Sequence, residues 1–466
     1  MKRVLFAIIL LFALPCLALG ANYTVSPTGS GSKNGSNWEN CMDWSTMSFV
    51  RGNTYYLVDG TYAGKLLDTA TSGSTYITIR KATTANYTDV TDTTGWVSTM
   101  GDGQVVFSTE VSYSTIMRFK SDYWIIDGVS GGGYGSWTSG HGIKFDSPTA
   151  DGLVAIELSM SAGGPSDRVD VNYVTLSHIE MDGSPNGDYG NAAINATASG
   201  ASFSYITIDH CYIHDWSAQP IYFINIDNLT FNQNYLLANN ESEDTFHGQS
   251  FQLQNSTNMV FANNLVGNVA GTSYIGFYEG GTSNTHDGND IYGNVFFRES
   301  GWTGATGGNG IIGTIANPIC KNLRIYNNSF INLEAVYPIN IATTSNHDNV
   351  LVKNNLFYLI TNFDGFGGVA SLDYNWFEYG VTPSAPTDSH IQNGTNGFNP
   401  VPNWASISFA LVSNTDAGVN LGSPYNIDAA VITRTTWSRG AYEYDSGGGG
   451  STQTTSGITI QGVQIQ

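Results

Sequence analysis

Leu323–Phe330 reads Leu-Arg-Ile-Tyr-Asn-Asn-Ser-Phe: two apolar positions one residue apart, a turn, an asparagine, then another apolar position. Val350–Phe357 (Val-Leu-Val-Lys-Asn-Asn-Leu-Phe) and Met259–Val266 (Met-Val-Phe-Ala-Asn-Asn-Leu-Val) repeat it. Leu229–Leu236 and Ile206–Ile213 keep the frame, and Val174–Met181 and Trp124–Gly131 follow it more loosely. Aligned on the turn, the series is Ile179, Cys211, Asn234, Asn264, Asn294, Asn328, Asn355 and Asn375. The intervals are 32, 23, 30, 30, 34, 27 and 20 residues. Two-residue alternation recurring at that period, without helical spacing, predicts a β-solenoid. The turn asparagines are expected to point inward and stack as a ladder, each amide bonded to a neighbouring coil.

A second strand series lies between these copies: Gly142–Phe145, Ala193–Ala196, Pro220–Phe223, Ser250–Leu253, Tyr274–Phe277, Gly310–Gly313 and Pro338–Ile341. Each follows a loop rich in Gly, Asn, Asp and Ser. Alternate residues such as Ile143 and Phe145, or Phe251 and Leu253, are expected inside. The residues between them then form one outward row: Lys144, Asn195, Tyr222, Gln252, Gly276, Ile312 and Asn340. An antiparallel sandwich would need hairpin turns of about two to five residues, and most loops here are longer.

Charged residues make up only 12 % of the 466, which suits short strands joined by tight turns. A hydrophobic content of 41 % predicts a continuous core and not disorder. The net charge of −21 excludes nucleic acid and anionic membrane surfaces as natural partners. It also repels polyanionic glycans unless a divalent cation intervenes. Met1–Gly20 has a basic start, an apolar run and a small-residue end, the pattern of a secretory signal peptide. Export to the medium or the cell surface is therefore expected, and no later segment is long and apolar enough to span a bilayer. Cys41, Cys211 and Cys320 remain, and they read as small buried hydrophobes without a disulfide framework.

The opening Asn22-Tyr-Thr-Val-Ser-Pro27, the Gly/Ser/Asn run to Trp38, and Gly52-Asn-Thr-Tyr-Tyr-Leu-Val-Asp-Gly-Thr-Tyr62 carry a family resemblance. So do Gly422-Ser-Pro424, Ile427-Asp-Ala429 and Gly440-Ala-Tyr-Glu-Tyr444 near the end. Together they resemble secreted right-handed parallel β-helix proteins of the pectate-lyase-like type, over about residues 22–445. The resemblance implies fold and caps and is nearly silent about activity. The expected order is a signal peptide at 1–20, an N-terminal cap and first strand at 21–54, and a right-handed parallel β-helix of about ten coils at 55–380. A C-terminal capping segment at 381–445 and a Gly-rich linker with a polar tail at 446–466 follow.

In solenoids, function sits on an outward sheet and its loops. Amides beside aromatic rings suit carbohydrate, because sugar hydroxyls need polar partners and sugar faces stack on rings. Tyr222, Trp216, Gln249, Gln252, Gln254, Tyr278 and Asn340 are the binding candidates. Titratable groups gather around His141 and Lys144, around Glu180, Asp182, His214 and Asp215, and in Glu241-Ser-Glu243-Asp244. The last offers three carboxylates to a Ca²⁺ ion, the one cofactor implied. β-Elimination from a uronate needs a base and a cation beside the carboxylate, with Lys144 as the leading base. Hydrolysis needs two carboxylates about 5–10 Å apart, which Glu180 or Asp182 facing Asp215 or Glu243 on neighbouring coils would supply. Polygalacturonases use Asn-Thr-Asp, Asp-Asp and Gly-His-Gly in order. Here Gly140-His-Gly142 comes early and alone, so that mapping fails. Two readings stay open: a protein that binds and cleaves extracellular polysaccharide, by elimination or hydrolysis, and a non-catalytic adhesion or structural solenoid.

Overall fold

The computed structural model describes residues 20–444 except 112–113, 148–152, 160–167, 184–191, 218, 238–248, 280–283, 300–301, 303–308, 334–336, 342–346, 361, 379–386, 395–408, 410 and 412. The leader up to residue 19, the polar tail and the acidic triplet Glu241, Glu243 and Asp244 lie outside the described residues.

The chain winds as a parallel β-helix. A twelve-stranded sheet runs the length of the molecule, from Gly60–Ala63 through Ile143–Asp146, Ile179–Asp182 and Tyr212–His214 to Gln392–Gly394. The expected number of coils, about ten, compares with these twelve strands. A 23-stranded sheet wraps the remainder and bends into two faces. Ile221–Asn232 passes through that bend: its first half pairs with Ala192–Ala196 and its second with Phe203–Asp209. Every pairing between named strands is parallel; from Val174 to Asn375 most follow the 20-to-34-residue repeat, while earlier ones such as Lys65 with Met117 and Trp124 with Val174 enclose longer loops.

One apolar cluster from Val25 to Phe377 fills the interior. Phe296, Phe330, Phe357 and Phe377 occupy one register position and stack at 5.1, 5.0 and 4.9 Å. Those separations match the strand spacing of about 4.8 Å, so inward rings pack face to face along the axis.

The asparagine ladder is present. Asn234, Asn264, Asn294, Asn328, Asn355 and Asn375 are fully buried. Each Nδ2 donates to the next Oδ1 at 3.2, 2.9, 2.9, 3.0 and 3.0 Å. The backbone N–H of each from Asn234 to Asn355 also donates to the next amide oxygen, so these buried N–H groups are satisfied across the turn. Asp388 ends the row, accepting from the N–H and Nδ2 of Asn375 at 2.8 and 3.1 Å.

The residue before each ladder position has a second task. Gln233, Asn327 and Asn354 take the left-handed conformation that turns the corner. Their amides point outward and donate to the carbonyls of Ala429, Tyr425 and Val419. The last part of the chain is thus a strap along the flank, reaching from Asn375, which accepts from Arg439, back to Gln233. Tyr425 lies edge-on between Tyr292 and Tyr326, with its hydroxyl donating to Asp290 at 3.0 Å. A cap over the end strands was expected of this segment; between 409 and 444 the described residues run along the side.

Candidate functional site

Three adjacent strands of the twelve-stranded sheet build the site. Ile143–Asp146 pairs with Ile179–Asp182, which pairs with Tyr212–His214. Alternation sends Ile143, Phe145, Ile179, Met181 and Ile213 inward, all fully buried. Two polar rows then face outward: Lys144, Glu180, Tyr212 and Asp146, Asp182, His214. Val106 precedes the first row, and Tyr235 and Leu237 follow the two rows.

An excursion in the chain walls one side. Asp127 aligns with Ser177 and Ile143 with Ile179, so residues 128–142 stand where His178 alone stands one coil later. Gly131, Gly132 and Gly133 have φ of +87°, +74° and +72°. A Cβ on Gly132 would lie 1.9 Å from the carbonyl oxygen of His210. Glycine there lets the loop rest on the turn. The loop continues to Tyr134, whose N–H donates to Gln233 Oε1 at 2.9 Å, and to Trp137 beside Tyr235. It returns through His141.

Charge is dense here. Lys144 Nζ donates to Asp182 Oδ2 at 2.7 Å and lies 3.3 Å from Asp146 and 3.5 Å from Glu180. His214 contacts Asp215 at 2.6 Å, Asp182 at 3.6 Å and Glu180 at 3.7 Å. Gln104 Nε2 donates to Glu180 Oε2 at 3.0 Å and to the His141 carbonyl at 2.8 Å. Tyr212 stacks on His214 with ring centres 4.0 Å apart.

These contacts set protonation. Burial opposes the Lys144 ammonium, but Asp182, Glu180 and Asp146 outweigh it and hold the group above its ordinary value. Burial alone would raise Glu180; hydrogen bonds from His214 and Gln104 and the charge of Lys144 reverse this and bring it to about 2. His214 is lowered by burial and raised more by Asp215, Glu180 and Asp182, to about 9. Burial, then the nearby carboxylates, pushes the Tyr212 phenol up. His141 is the opposite case: burial brings it down to about 4. At neutral pH the cluster sets an ammonium and an imidazolium against the ionised Glu180.

Donor atoms of Glu180, Asp182 and His214 all lie within 4.8 Å of one another, which suits one metal ion. The Lys144 ammonium already occupies the space between the carboxylates as a cation does. Two carboxylates, with Asp146 at the margin, match the oxygen preference of Ca²⁺. His214 would have to give up its proton to ligate.

The structure divides the expected residues differently from the single outward row. Lys144 belongs to the twelve-stranded sheet, whereas Asn195, Tyr222, Gln252, Gly276 and Asn340 align on the other one. That second row begins with Arg118 and Glu157, a buried pair at 2.6 Å which sequence reasoning missed. Ile312 is also misplaced, since it faces inward in line with Ile275 and Ile339, and Gly313 takes the outward position. Adjacent isoleucines at 311 and 312 make the alternation ambiguous there. Tyr222, Gln249, Gln252 and Gln254 gather as expected but bond to neighbours: Gln219 Nε2 donates to Gln249 and Gln252 at 3.0 and 2.6 Å, and Tyr222 to Gln254 at 3.4 Å. Tyr278 ends a strand of this face, half-buried. Trp216, expected beside a sugar, is fully buried with Nε1 donating to the Met181 carbonyl at 3.0 Å.

No protein-family model matches this chain, and no curated protein matches it. Among solved structures, it is similar to pectate lyase Pel9A at 14 % identity and a TM-score of 0.45, over 92 % of this chain and 97 % of that one. It is similar to the PL6 family alginate lyase AlyGC at 14 % and 0.37, over 80 % of this chain and 53 % of that one. The GH136 lacto-N-biosidase from Eubacterium ramulus gives 10 % and 0.34, over 81 % and 68 %. The architecture, by its own strand pairing, is a parallel β-helix. Residue roles rest on the geometry above.

Proposed function

We propose that this chain is an exported protein that binds an acidic polysaccharide across the Lys144–Glu180–Asp182–His214 cluster and cleaves it by β-elimination. The observation that carries this reading is the convergence, from three consecutive coils, of an ammonium, an imidazolium and a pair of ionised carboxylates on one outward face. Glu180 and Asp182 would hold a divalent cation. A bound Ca²⁺ supplies neutralisation of the uronate carboxylate and acidifies the adjacent proton. Lys144, an ammonium while Asp182, Glu180 and Asp146 face it, would act as the base only as the neutral amine, once those carboxylates are engaged by the cation. His214, held first by Asp215, would return a proton to the departing glycosidic oxygen. Tyr212 orients His214 by stacking. Hydrolysis fits less well: it needs one protonated carboxylic acid, and Glu180 is held ionised.

The test is incubation of the mature protein with neutral and acidic glycans, with Ca²⁺ or chelator. Absorbance from unsaturated uronate that needs Ca²⁺ supports elimination. New reducing ends without that absorbance favour hydrolysis, and glycan binding without either product favours an adhesion protein. Retention of elimination in Lys144→Ala removes Lys144 as the base.

A further inference from the structure

The charged cluster ends where the outer face of the twelve-stranded sheet becomes covered. Tyr235, Leu265 and Val295 continue the row of Tyr212, and each is buried although it faces outward. They belong to one apolar cluster with Trp137 of the loop at 128–142 and with Ala429, Ala430 and Tyr442 of the strap. The strap and the wall loop therefore meet at the edge of the site. The Tyr134 ring tilts against Tyr442 there, with centres 6.1 Å apart.

Gln233 joins the two. Its side chain is buried, with Oε1 accepting the Tyr134 N–H at 2.9 Å and Nε2 donating to the Ala429 carbonyl at 3.2 Å. Asn263, Asn327 and Asn354 hold the same left-handed corner on later coils, and each of their amides reaches one neighbour: Asn232, Tyr425 and Val419. Glutamine is one methylene longer and spans loop and strap at once. The loop in turn bears on the site through its neck. A Cβ on Gly131 would lie 2.3 Å from the His141 nitrogen, so the two ends of the loop are pressed together. The His141 ring lies on Tyr212 with centres 6.2 Å apart, and its carbonyl accepts from Gln104, which also holds Glu180.

We propose that Gln233 is a positioning residue: it clamps the wall loop to the C-terminal strap, so that seating of the strap completes the substrate site. The inference rests on reading the Lys144–Glu180–Asp182–His214 cluster as that site. Gln233 acts through the loop and His141, not on the substrate. A side chain that only closed the turn would need a left-handed corner and nothing more, which asparagine supplies. Displacing a site wall by about 1 Å can cost on the order of 10²-fold in a reaction that depends on alignment, so a loosened loop should weaken substrate binding before it touches the charged groups.

Gln233→Asn tests it in the full chain, since asparagine keeps the corner and is too short to hold both partners; Tyr134→Ala loosens the same joint from the loop side. Labelling of histidines with diethyl pyrocarbonate, read by mass spectrometry, reports where the loop lies without needing a substrate. His141 is 2 % exposed, His286 is buried inside the coil, and His390 is half-exposed. The expected result is labelling of His141 at least tenfold faster in Gln233→Asn, with His286 still protected and His390 unchanged. For trigalacturonate with Ca²⁺, KM should rise several-fold while kcat stays within about twofold. Unchanged His141 labelling in both variants overturns the clamp, and so does a parallel rise at His286, which would mean general unfolding. Faster His141 labelling with unchanged KM overturns the positioning role. If the wild type shows no elimination, the lyase reading fails by itself, and affinity for trigalacturonate measured by calorimetry takes the place of KM. A wild type that neither cleaves nor binds it overturns the reading of the site, while the labelling still decides the clamp.

Discussion

Lys144 Nζ lies 2.7 Å from the Asp182 carboxylate of the next coil, and that contact ties the cluster across the sheet. Lys144→Ala leaves Asp146, Glu180 and Asp182 facing one another without their ammonium. The pair is one-fifth to one-quarter exposed, between the surface and buried limits, so a loss of about 1–3 kcal/mol is expected. Adding Asp182→Asn should return part of it. Urea unfolding of both single variants and the double variant measures the coupling.

Asn264 is the inner link with the most to lose. Its Oδ1 accepts from the N–H and Nδ2 of Asn234, and its Nδ2 donates to Asn294 and to the Phe231 carbonyl. Asn264→Ala orphans buried groups on both sides, and about 3–5 kcal/mol should be lost. Asp388→Ala, at the half-buried end of the row, should cost about 1 kcal/mol. Equal losses at the two positions would mean the ladder is not what holds the turns.

His286 gives the fold a pH dependence. Burial holds it neutral inside the coil, down to about 3, with Nδ1 2.8 Å from Ser256 Oγ. An unfolded histidine takes its proton near 6.5, so below that the unfolded chain binds more protons. Stability is therefore whole above about 6.5 and declines as pH falls towards 3, by up to roughly 1.4 kcal/mol per unit. His141, held at about 4, adds to the same window. Urea midpoints between pH 7 and 4 should fall more steeply in the wild type than in His286→Gln.

Tyr425 fastens the strap. Tyr425→Phe removes the bond to Asp290 and should cost about 1 kcal/mol, whereas Tyr425→Ala also removes the ring from between Tyr292 and Tyr326 and should cost about 3 kcal/mol. Arg434 and Arg439, in the strap itself, are buried. Trypsin should leave both bonds intact in the wild type and cut there first in Tyr425→Ala.

The ladder was legible because a buried amide at a fixed turn recurs visibly, from Asn234 to Asn375. Strand parity was legible wherever apolar and polar residues alternate, as at Ile221-Tyr-Phe223. Lys144 was assigned to the wrong sheet for a specific reason. The excursion at residues 128–142 separates Ile143 from its turn, so its strand looks like one that follows a long loop. Counting from Asp127 against Ser177 would have corrected it. Trp216 had no such signal, since a tryptophan after a polar His-Asp pair reads as exposed until the inward turn is seen. Glu180, Asp182 and His214 were each legible as titratable residues, but their meeting with Lys144 depends on the register of three coils. The outward task of Gln233, Asn327 and Asn354 depends on a segment 196, 98 and 65 residues away, which no local pattern reports.

The ladder has a polarity. Every Nδ2 from Asn234 to Asn355 points towards the C-terminal end and every Oδ1 towards the N-terminal end, so the amide dipoles add head to tail. The positive end of that line meets the Asp388 carboxylate, much as an anion meets the start of a helix. A coil spliced in or removed between equivalent asparagines keeps each donor facing an acceptor, while one joined in reverse would set oxygen against oxygen. The repeat can therefore lengthen or shorten by whole coils, and it reads in one direction only.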